Sequence, residues 1–158
     1  MTRLTLETTG DRQVTVTRAF AAPPDAVFRA HTEAELIRRW MVGPDGWSMP
    51  VCEIDARPGG AFRYGYADAD GGQWFEITGT FQTLDRPGRI EHVERMHMPD
   101  PTPENRIVTT FEPKDGGTWM TMKMTLPDAA SREAMLATGM EDGMEMSYAK
   151  LDEVAGAA

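Results

Sequence analysis

The stretch from Gly117 to Leu126, GTWMTMKMTL, places an apolar side chain at every second position from Met120 onward. Successive side chains of a β-strand point to opposite faces of the sheet, so a period of two predicts a strand with one buried face. The preceding KDGG has the composition of a hairpin turn, and IVTTFEP before it alternates in the same way. The stretch therefore predicts an antiparallel sheet with a covered face. The residues that share this face are Met120, Met122, Met124 and Leu126.

Further strands extend this sheet toward the N-terminus. SMPVCEID, AFRYGYA, WFEITGTFQTL and RIEHVERMHM are short segments separated by the turn sequences RPGG, DADGG and DRPG, which is typical of an antiparallel meander. The second and third have a clear apolar face, whereas the fourth, with His92 and Glu94 on one side, is too mixed to orient. The predicted buried face consists of Phe62, Tyr64, Tyr66, Phe75, Ile77, Gly79 and Phe81.

The two ends of the chain add one more strand and the helices. QVTVTRAF, residues 13–20, alternates and is rich in β-branched residues, which predicts a strand. Two short helices are expected in residues 24–40, because Thr32 and Glu35 have the spacing of a capping box inside the run. Residues 128–154 show helical spacing of apolar residues and predict one long amphipathic helix, with Asp128 or Ser131 as its cap.

Composition and charge limit the classes of function. A chain of 158 residues with 41% hydrophobic residues fits one domain, with an ordered core expected over about residues 12–154. Its formal net charge of −9 opposes binding to nucleic acid, which requires Lys and Arg at the phosphates. The lone Cys52 forms no internal disulfide, and neither a secretory signal nor a membrane-spanning run is present. A cytoplasmic protein without membrane insertion is expected.

Several blocks of the sequence resemble one known family. FAAPPDAVFRAHTEAELIRRWMVGPDGW (residues 20–47), RPGGAFRYGY (57–66), TGTFQTLDRPGRIEH (78–92) and GMEDGMEMSYAKLDEV (139–154) are similar to the family related to the heat-shock-protein-ninety ATPase activator, within the START and birch-pollen-allergen-like superfamily. The resemblance implies an α+β helix-grip fold, in which a curved antiparallel sheet of about seven strands wraps a long C-terminal helix and two short helices follow the first strand. It also implies an elongated cavity between sheet and helix for an apolar or amphipathic small molecule.

Methionines and aromatic residues are the candidates for lining that cavity. Methionine is flexible and polarizable and is favoured where a surface must repack around varied partners, although any one of these residues can simply be core. Gly139 and Gly143, one turn apart, either thin the helix face beside a ligand or mark a bend or a helix start near Gly143. The candidate ligand-binding residues are Trp40, Phe62, Tyr64, Tyr66, Phe75, His92, Phe111, Met120, Met122, Met124, Met140, Met144 and Tyr148.

Chemical motifs are scarce. His92 and Glu94 lie two apart in a strand and share a face, which suits a general base held by a carboxylate or half a metal site, while the mixed pattern favours an exposed surface pair. His31, His97 and Cys52 show no metal-ligand spacing, and no nucleotide or nucleophile motif is present. No metal, cofactor or catalytic residue is therefore predicted.

Three functions are consistent with these features. The leading hypothesis is a small-molecule binding protein with no catalytic activity, acting as a monomer or homodimer. A co-chaperone that regulates a heat-shock ATPase is the second hypothesis, based on the resemblance and the acidic charge. A cyclase or hydrolase that uses His92, Glu94 or a tyrosine of the same cavity is the third. The proline-rich loop from Pro99 to Pro103 is a candidate for the cavity mouth.

Overall fold

A computed structural model describes residues 3–42, 46–70, 74–97 and 101–157. These residues form strands β1 Thr5–Thr9 and β2 Gln13–Phe20, helices α1 Pro24–Thr32 and α2 Ala34–Trp40, strands β3 Ser48–Ile54, β4 Ala61–Ala67, β5 Trp74–Asp85, β6 Arg89–His97, β7 Asn105–Lys114 and β8 Gly117–Thr125, and helices α3 Ala129–Leu136 and α4 Met140–Ala157. The α+β class, the meander and the two short helices are confirmed.

All the strands belong to one antiparallel sheet in the order β1-β2-β8-β7-β6-β5-β4-β3. The predicted methionine strand lies near its middle, where Met122 is opposite Val16 on one side and Thr109 on the other. Alternate residues form the covered face, which we call the inner face. From β2 to β4 it contains Val14, Val16, Arg18, Phe20, Thr118, Met120, Met122, Met124, Asn105, Ile107, Thr109, Phe111, Ile90, His92, Glu94, Met96, Phe75, Ile77, Gly79, Phe81, Phe62, Tyr64 and Tyr66.

Helices cover the inner face. On α4, Tyr148, Leu151 and Ala155 are buried in the same core as the sheet residues, and the Tyr148 ring meets the Phe20 ring edge-on at 5.6 Å. On α2, the Trp40 indole donates to the carbonyl of Ala30 over 2.7 Å, which satisfies its polar atom inside the core.

Each end of the sheet is associated with a different helix. Helix α1 lies at the end that contains the β5–β6 and β7–β8 turns, where Arg86 bonds Asp25 over 2.7 Å. Helix α3 lies at the opposite end, because Arg132 donates to the carbonyl of Gly10 in the β1–β2 turn. We call these the α1 end and the α3 end.

The sheet has eight strands among the described residues, one more than the expected number of about seven. The additional strand is β1, which precedes the expected start of the ordered core and pairs with β2 through contacts such as Leu6 opposite Val16. Its sequence, TLETT, has a single apolar residue, and its side chains are mostly exposed because it is an edge strand. A strand with so little apolar alternation gives almost no periodic signal.

The predicted long C-terminal helix is two helices. Gly139 separates α3 from α4 and has a φ of +77°, a left-handed conformation that interrupts a right-handed helix. The bend that the sequence suggested near Gly143 therefore lies at Gly139. The predicted cap at Asp128 is confirmed, since its side chain accepts from the Ser131 amide over 2.7 Å.

The predicted capping box at Thr32 and Glu35 is wrong. Glu33, in extended conformation, separates α1 from α2, and no side chain caps α2. The Thr32 hydroxyl instead donates back to the carbonyl of Phe28 over 3.1 Å, as Thr does within a helix. The break between the two helices was expected, but its mechanism was not.

Candidate functional site

A polar pair lies on the otherwise largely apolar inner face. His92 and Glu94 of β6 are hydrogen-bonded, with 2.9 Å between Nε2 and Oε1, and their side chains are 16% and 14% exposed. The expectation of an exposed surface pair is therefore wrong. Strand pairing explains the orientation, because His92 lies opposite Phe81 on β5 and Ile107 on β7, both of which are core residues.

The hydrogen bond fixes how the His92 imidazole can act. An ionised carboxylate only accepts hydrogen bonds, so Nε2 carries the hydrogen and a neutral ring has its lone pair at Nδ1. Nδ1 is buried and has no hydrogen-bond partner among the residues that the structure describes. The ring is held edge-on to Phe62 at 5.3 Å and to Phe81 at 6.1 Å. A buried acceptor without a partner is energetically costly, which makes Nδ1 a position where a ligand donor would be stabilising.

Three tyrosines lie near enough to Glu94 for its charge to act on their hydroxyl groups. The rings of Tyr64, Tyr66 and Tyr148 are buried and stack on Phe62, Phe75 and Trp40 at 4.9, 4.7 and 5.8 Å. None of the three hydroxyls forms a hydrogen bond with a residue that the structure describes. The three rings thus combine apolar packing with unused polar groups.

The electrostatic environment keeps these hydroxyls protonated. Burial is the main cause that raises the pKa of all three tyrosines, and the negative charge of Glu94 adds to the rise in each case. At Tyr148 the positive charge of Arg18 opposes this rise. Neutral phenols donate as well as accept hydrogen bonds, so they can orient the polar part of a bound molecule.

The predicted methionines are only partly brought together. Met120, Met122 and Met124 lie side by side on the inner face with 0, 6 and 6% of their surface exposed. Met144 of α4 packs against the same core, whereas the half-buried Met140, at the start of α4, is outside it. That Met144 faces the strand methionines directly stays a prediction.

The remaining aromatic candidates lie at different positions between the two ends of the inner face. Phe111 lies at the α1 end, where it contacts the rings of Phe28 at 6.1 Å and His31 at 4.9 Å. Phe75, half-buried, stacks on Tyr66 toward the α3 end. Between them, Phe62 lies beside His92. The candidates thus run along the length of the inner face.

Arg18 is an inner-face residue that the sequence interpretation missed. Its side chain is 3% exposed, and its guanidinium bonds both oxygens of Glu145 over 3.0 Å and reaches Asp152 over 3.2 Å. Burial opposes the charge of Arg18, but its hydrogen bonds to the two carboxylates outweigh this effect and raise its pKa. Arg18 follows Val14 and Val16 at the same spacing of two residues, and this spacing is the sequence signal that its side chain points inward.

His31 is a second half-buried histidine, packed among aromatic rings. Its Nδ1 lies 2.8 Å from the carbonyl oxygen of Val27, which requires Nδ1 to donate, and its ring touches Trp40 and Phe111. Burial lowers the pKa of His31 to about 4, and the nearby His92 adds to this effect. His31 is therefore neutral at physiological pH.

Two depressions lie on the sheet away from the methionines. The larger, with a volume of about 350 Å³, is lined largely by residues that alternate with the inner face, such as Thr78, Thr80 and Arg95, and the smaller, about 200 Å³, lies around Arg106 and Pro127. None of the described residues that line them is a methionine.

In the part of the chain that the structure describes, no three acidic, histidine or cysteine side chains are grouped to hold a metal ion. Within the same ranges, no helix has the length and hydrophobicity to cross a bilayer. Two residues of the proline loop, Pro99 and Asp100, lie outside the described residues.

Comparison with known proteins gives a family and a fold. The family described as Activator of Hsp90 ATPase homolog 1-like protein matches residues 21–156. A crystal structure of a protein from Rhodobacter sphaeroides is 26% identical, with a TM-score of 0.90 over 99% of each chain. Protein NE0264 from Nitrosomonas europaea is 25% identical, with a TM-score of 0.80 over 93% of this chain and 96% of that one. An AHSA1-like protein from Aeromonas hydrophila shares the fold at 21% identity, with a TM-score of 0.70 over 92% of each chain. Comparison with curated proteins gives no match.

Proposed function

The chain belongs to the family of Activator of Hsp90 ATPase homolog 1-like proteins, and we propose that it binds an apolar or amphipathic small molecule between the inner face and helix α4. The observation that carries the proposal is the group of unused polar atoms on this face. Within the described ranges, His92 Nδ1 is buried without a partner, and the hydroxyls of Tyr64, Tyr66 and Tyr148 form no hydrogen bond. Binding sites for small molecules combine such convergent polar groups with an apolar wall.

The side chains around these atoms suit a guest of variable shape. Met122, Met124 and Met144 pack in the same core as the aromatic rings. Methionine has three rotatable side-chain bonds and can repack at low cost, so the core can open around a ligand more readily than one built from β-branched residues. We expect the guest to displace these side chains and to place its polar part near His92.

Ligand-dependent stability tests the proposal. Thermal unfolding is measured with a panel of neutral, anionic and cationic amphiphiles, and native mass spectrometry detects a molecule carried from the host. A ligand at a hundredfold excess over its Kd stabilises the fold by about 2.7 kcal/mol. Tyr148→Phe removes one hydroxyl and should weaken binding, while Trp119→Phe changes the opposite face of β8 and should not. If no apolar compound raises the unfolding temperature, the proposal fails.

A second candidate function is proton transfer on a molecule bound at the same site. The observation that favours it is the orientation of His92, whose Nε2–H is held by Glu94 and whose Nδ1 is left as a base. In this reaction His92 would take a proton from the carbon beside a carbonyl, and a neutral tyrosine would donate to the enolate oxygen. Exchange of the α-protons of a long-chain methyl ketone in D2O measures it by NMR. An exchange rate equal to that of His92→Asn, or to buffer alone, would exclude this function.

Regulation of a chaperone is the third candidate. Its support is membership of a family described by its likeness to an activator of the Hsp90 ATPase, together with the net charge of −9. The test is the ATP hydrolysis rate of a purified Hsp90 with and without this protein. A rate that does not change over a wide range of concentrations would remove this candidate.

A further inference from the structure

Negative charge predominates on the inner face and on the helix side chains that reach it. Glu94 points inward beside the tyrosines, and its carboxylate raises the pKa of all three hydroxyls. Arg18, the cation of this face, is bound by two carboxylates, Glu145 and Asp152. These groups therefore contribute one positive charge and three negative charges, and the neutral His31 adds no charge. An anionic group that entered near Glu94 would be repelled and would find no free cation among these residues.

The hydrogen-bonding groups near Glu94 also disfavour an anionic head group, because they favour a ligand that donates a hydrogen bond. With the ring neutral and Nε2–H bonded to Glu94, His92 Nδ1 can only accept from a ligand, and the Glu94 carboxylate also accepts. The tyrosine hydroxyls can act in either direction. A ligand head group without a hydrogen to donate would leave the buried Nδ1 unsatisfied, at the cost of a lost hydrogen bond.

We propose that this site selects amphiphiles whose head group is uncharged and donates a hydrogen bond, such as a long-chain alcohol, and that it rejects the carboxylate of the same chain length. This inference rests on the proposed binding function and specifies the chemical class of its ligand. The ligand hydroxyl donates to His92 Nδ1, and its chain lies along the methionines of β8.

Arg132 provides the alternative location for an anion. Its side chain is 12% exposed at the α3 end, where it donates to the carbonyl of Gly10 and bonds Glu133 over 3.1 Å. Its Nε is buried and bonds none of the residues in the described part of the chain. If a fatty acid were anchored at Arg132, the protein would prefer the carboxylate over the alcohol. Substitution of Arg132 therefore distinguishes the two sites.

The experiment compares three probes with one chain length: 1-decanol, decanoate and decyl methyl ether. Their Kd values are measured by isothermal titration at pH 7.5 for the native chain and for Glu94→Gln. The isosteric amide retains an acceptor for the His92 Nε2–H while it removes the charge. Glu91→Gln, on the outer face of the same strand and paired there with Arg89, is the matched control. Arg132→Gln tests the alternative site, and thermal unfolding verifies that every variant is folded.

The expected order of affinity is decanol, then the ether, then decanoate. Loss of one hydrogen bond should weaken the ether by roughly fivefold relative to decanol. Decanoate, like the ether, has no hydrogen to donate, so repulsion is measured against the ether. It should weaken decanoate by at least about a further tenfold, and Glu94→Gln should remove most of that difference between ether and decanoate while Glu91→Gln leaves it unchanged.

The other outcomes separate this inference from the binding function. Equal affinity for the three probes, or a preference for decanoate, would overturn the selectivity and leave the binding function intact. Loss of decanoate binding in Arg132→Gln would then assign the anion site to α3. A weaker affinity for decanoate than for the ether that persists in Glu94→Gln would also overturn the inference. Failure of all three probes to bind would contradict both the binding function and this inference.

Discussion

His92 and Glu94, two residues apart on β6, form a hydrogen bond of 2.9 Å on the covered face of the sheet. The bond fixes the imidazole tautomer and directs Nδ1 toward a region where no described side chain bonds it. In the same core, His31 donates from its other ring nitrogen, Nδ1, to Val27 over 2.8 Å. Two neighbouring histidines are thus held in opposite tautomers by their partners.

We expect this difference to be visible by NMR. Long-range 1H–15N spectra at neutral pH should show His92 protonated at Nε2 and His31 protonated at Nδ1. In Glu94→Gln the amide retains a carbonyl acceptor, so the His92 tautomer should persist. A neutral His92 with its hydrogen on Nδ1 would contradict the arrangement described here and would remove the acceptor on which the ligand preference depends.

Stability should depend on pH through His31. Burial lowers its pKa from 6.5 to about 4, so the unfolded chain binds a proton over a range in which the folded chain does not. The free energy of unfolding should therefore be constant above pH 6.5, fall as the pH drops toward 4, and lose about 3 kcal/mol from this residue over that range. Urea unfolding of the native chain and His31→Asn at several pH values measures it. Equal pH dependence in the two proteins would contradict the prediction.

The ion pair that joins β2 to α4 should be important for stability. Replacing Arg18 with methionine leaves Glu145 and Asp152 without their shared cation inside the fold, which should cost about 3–5 kcal/mol. Glu33→Gln, which breaks the exposed pair with Arg29, is the control and should have little effect. Denaturant unfolding gives both values. Similar stability of Arg18→Met and Glu33→Gln would show that α4 is held by apolar packing alone.

Two glycines of the last helical region should respond to alanine with opposite signs. Gly139 has a φ of +77°, which a residue with a Cβ adopts at a cost of about 1–2 kcal/mol. Gly143 lies inside α4, and an added Cβ would meet nothing within 4 Å. Gly143→Ala should therefore stabilise the protein by roughly 1 kcal/mol, as alanine does in helices. Thermal unfolding of the two variants measures the difference, and destabilisation by Gly143→Ala would be the contrary result.

The same Gly143 variant tests whether the glycine leaves room for a ligand. If Gly143→Ala is more stable but binds amphiphiles less tightly, the missing side chain is space that the ligand uses. If affinity is unchanged, Gly143 has no part in the site. The sequence suggested both a functional and a purely conformational role for this glycine pair, and the structure assigns the conformational role to Gly139.

Local patterns predicted most of the elements because each depends on neighbours along the chain. The alternation of Val14 and Val16, and of Met120 to Met124, located β2 and β8 and their buried faces. The same criterion failed for β1, since an edge strand with one apolar residue needs no alternation. It also failed at Gly139, because helical spacing of apolar residues continues across a break when α3 and α4 pack on the same core.

The sequence by itself determined most of the secondary structure, the buried face of each strongly alternating strand, and the family resemblance, because these follow from the spacing of residues along the chain. Only the tertiary structure decided that His92 and Glu94 face inward, that Arg18 is paired with two carboxylates of α4, and that these groups lie near three tyrosines from β4 and α4. The physical reason is that orientation on β6 is set by its pairing with β5 and β7. The charge of the site is likewise a sum over groups that are far apart in the sequence.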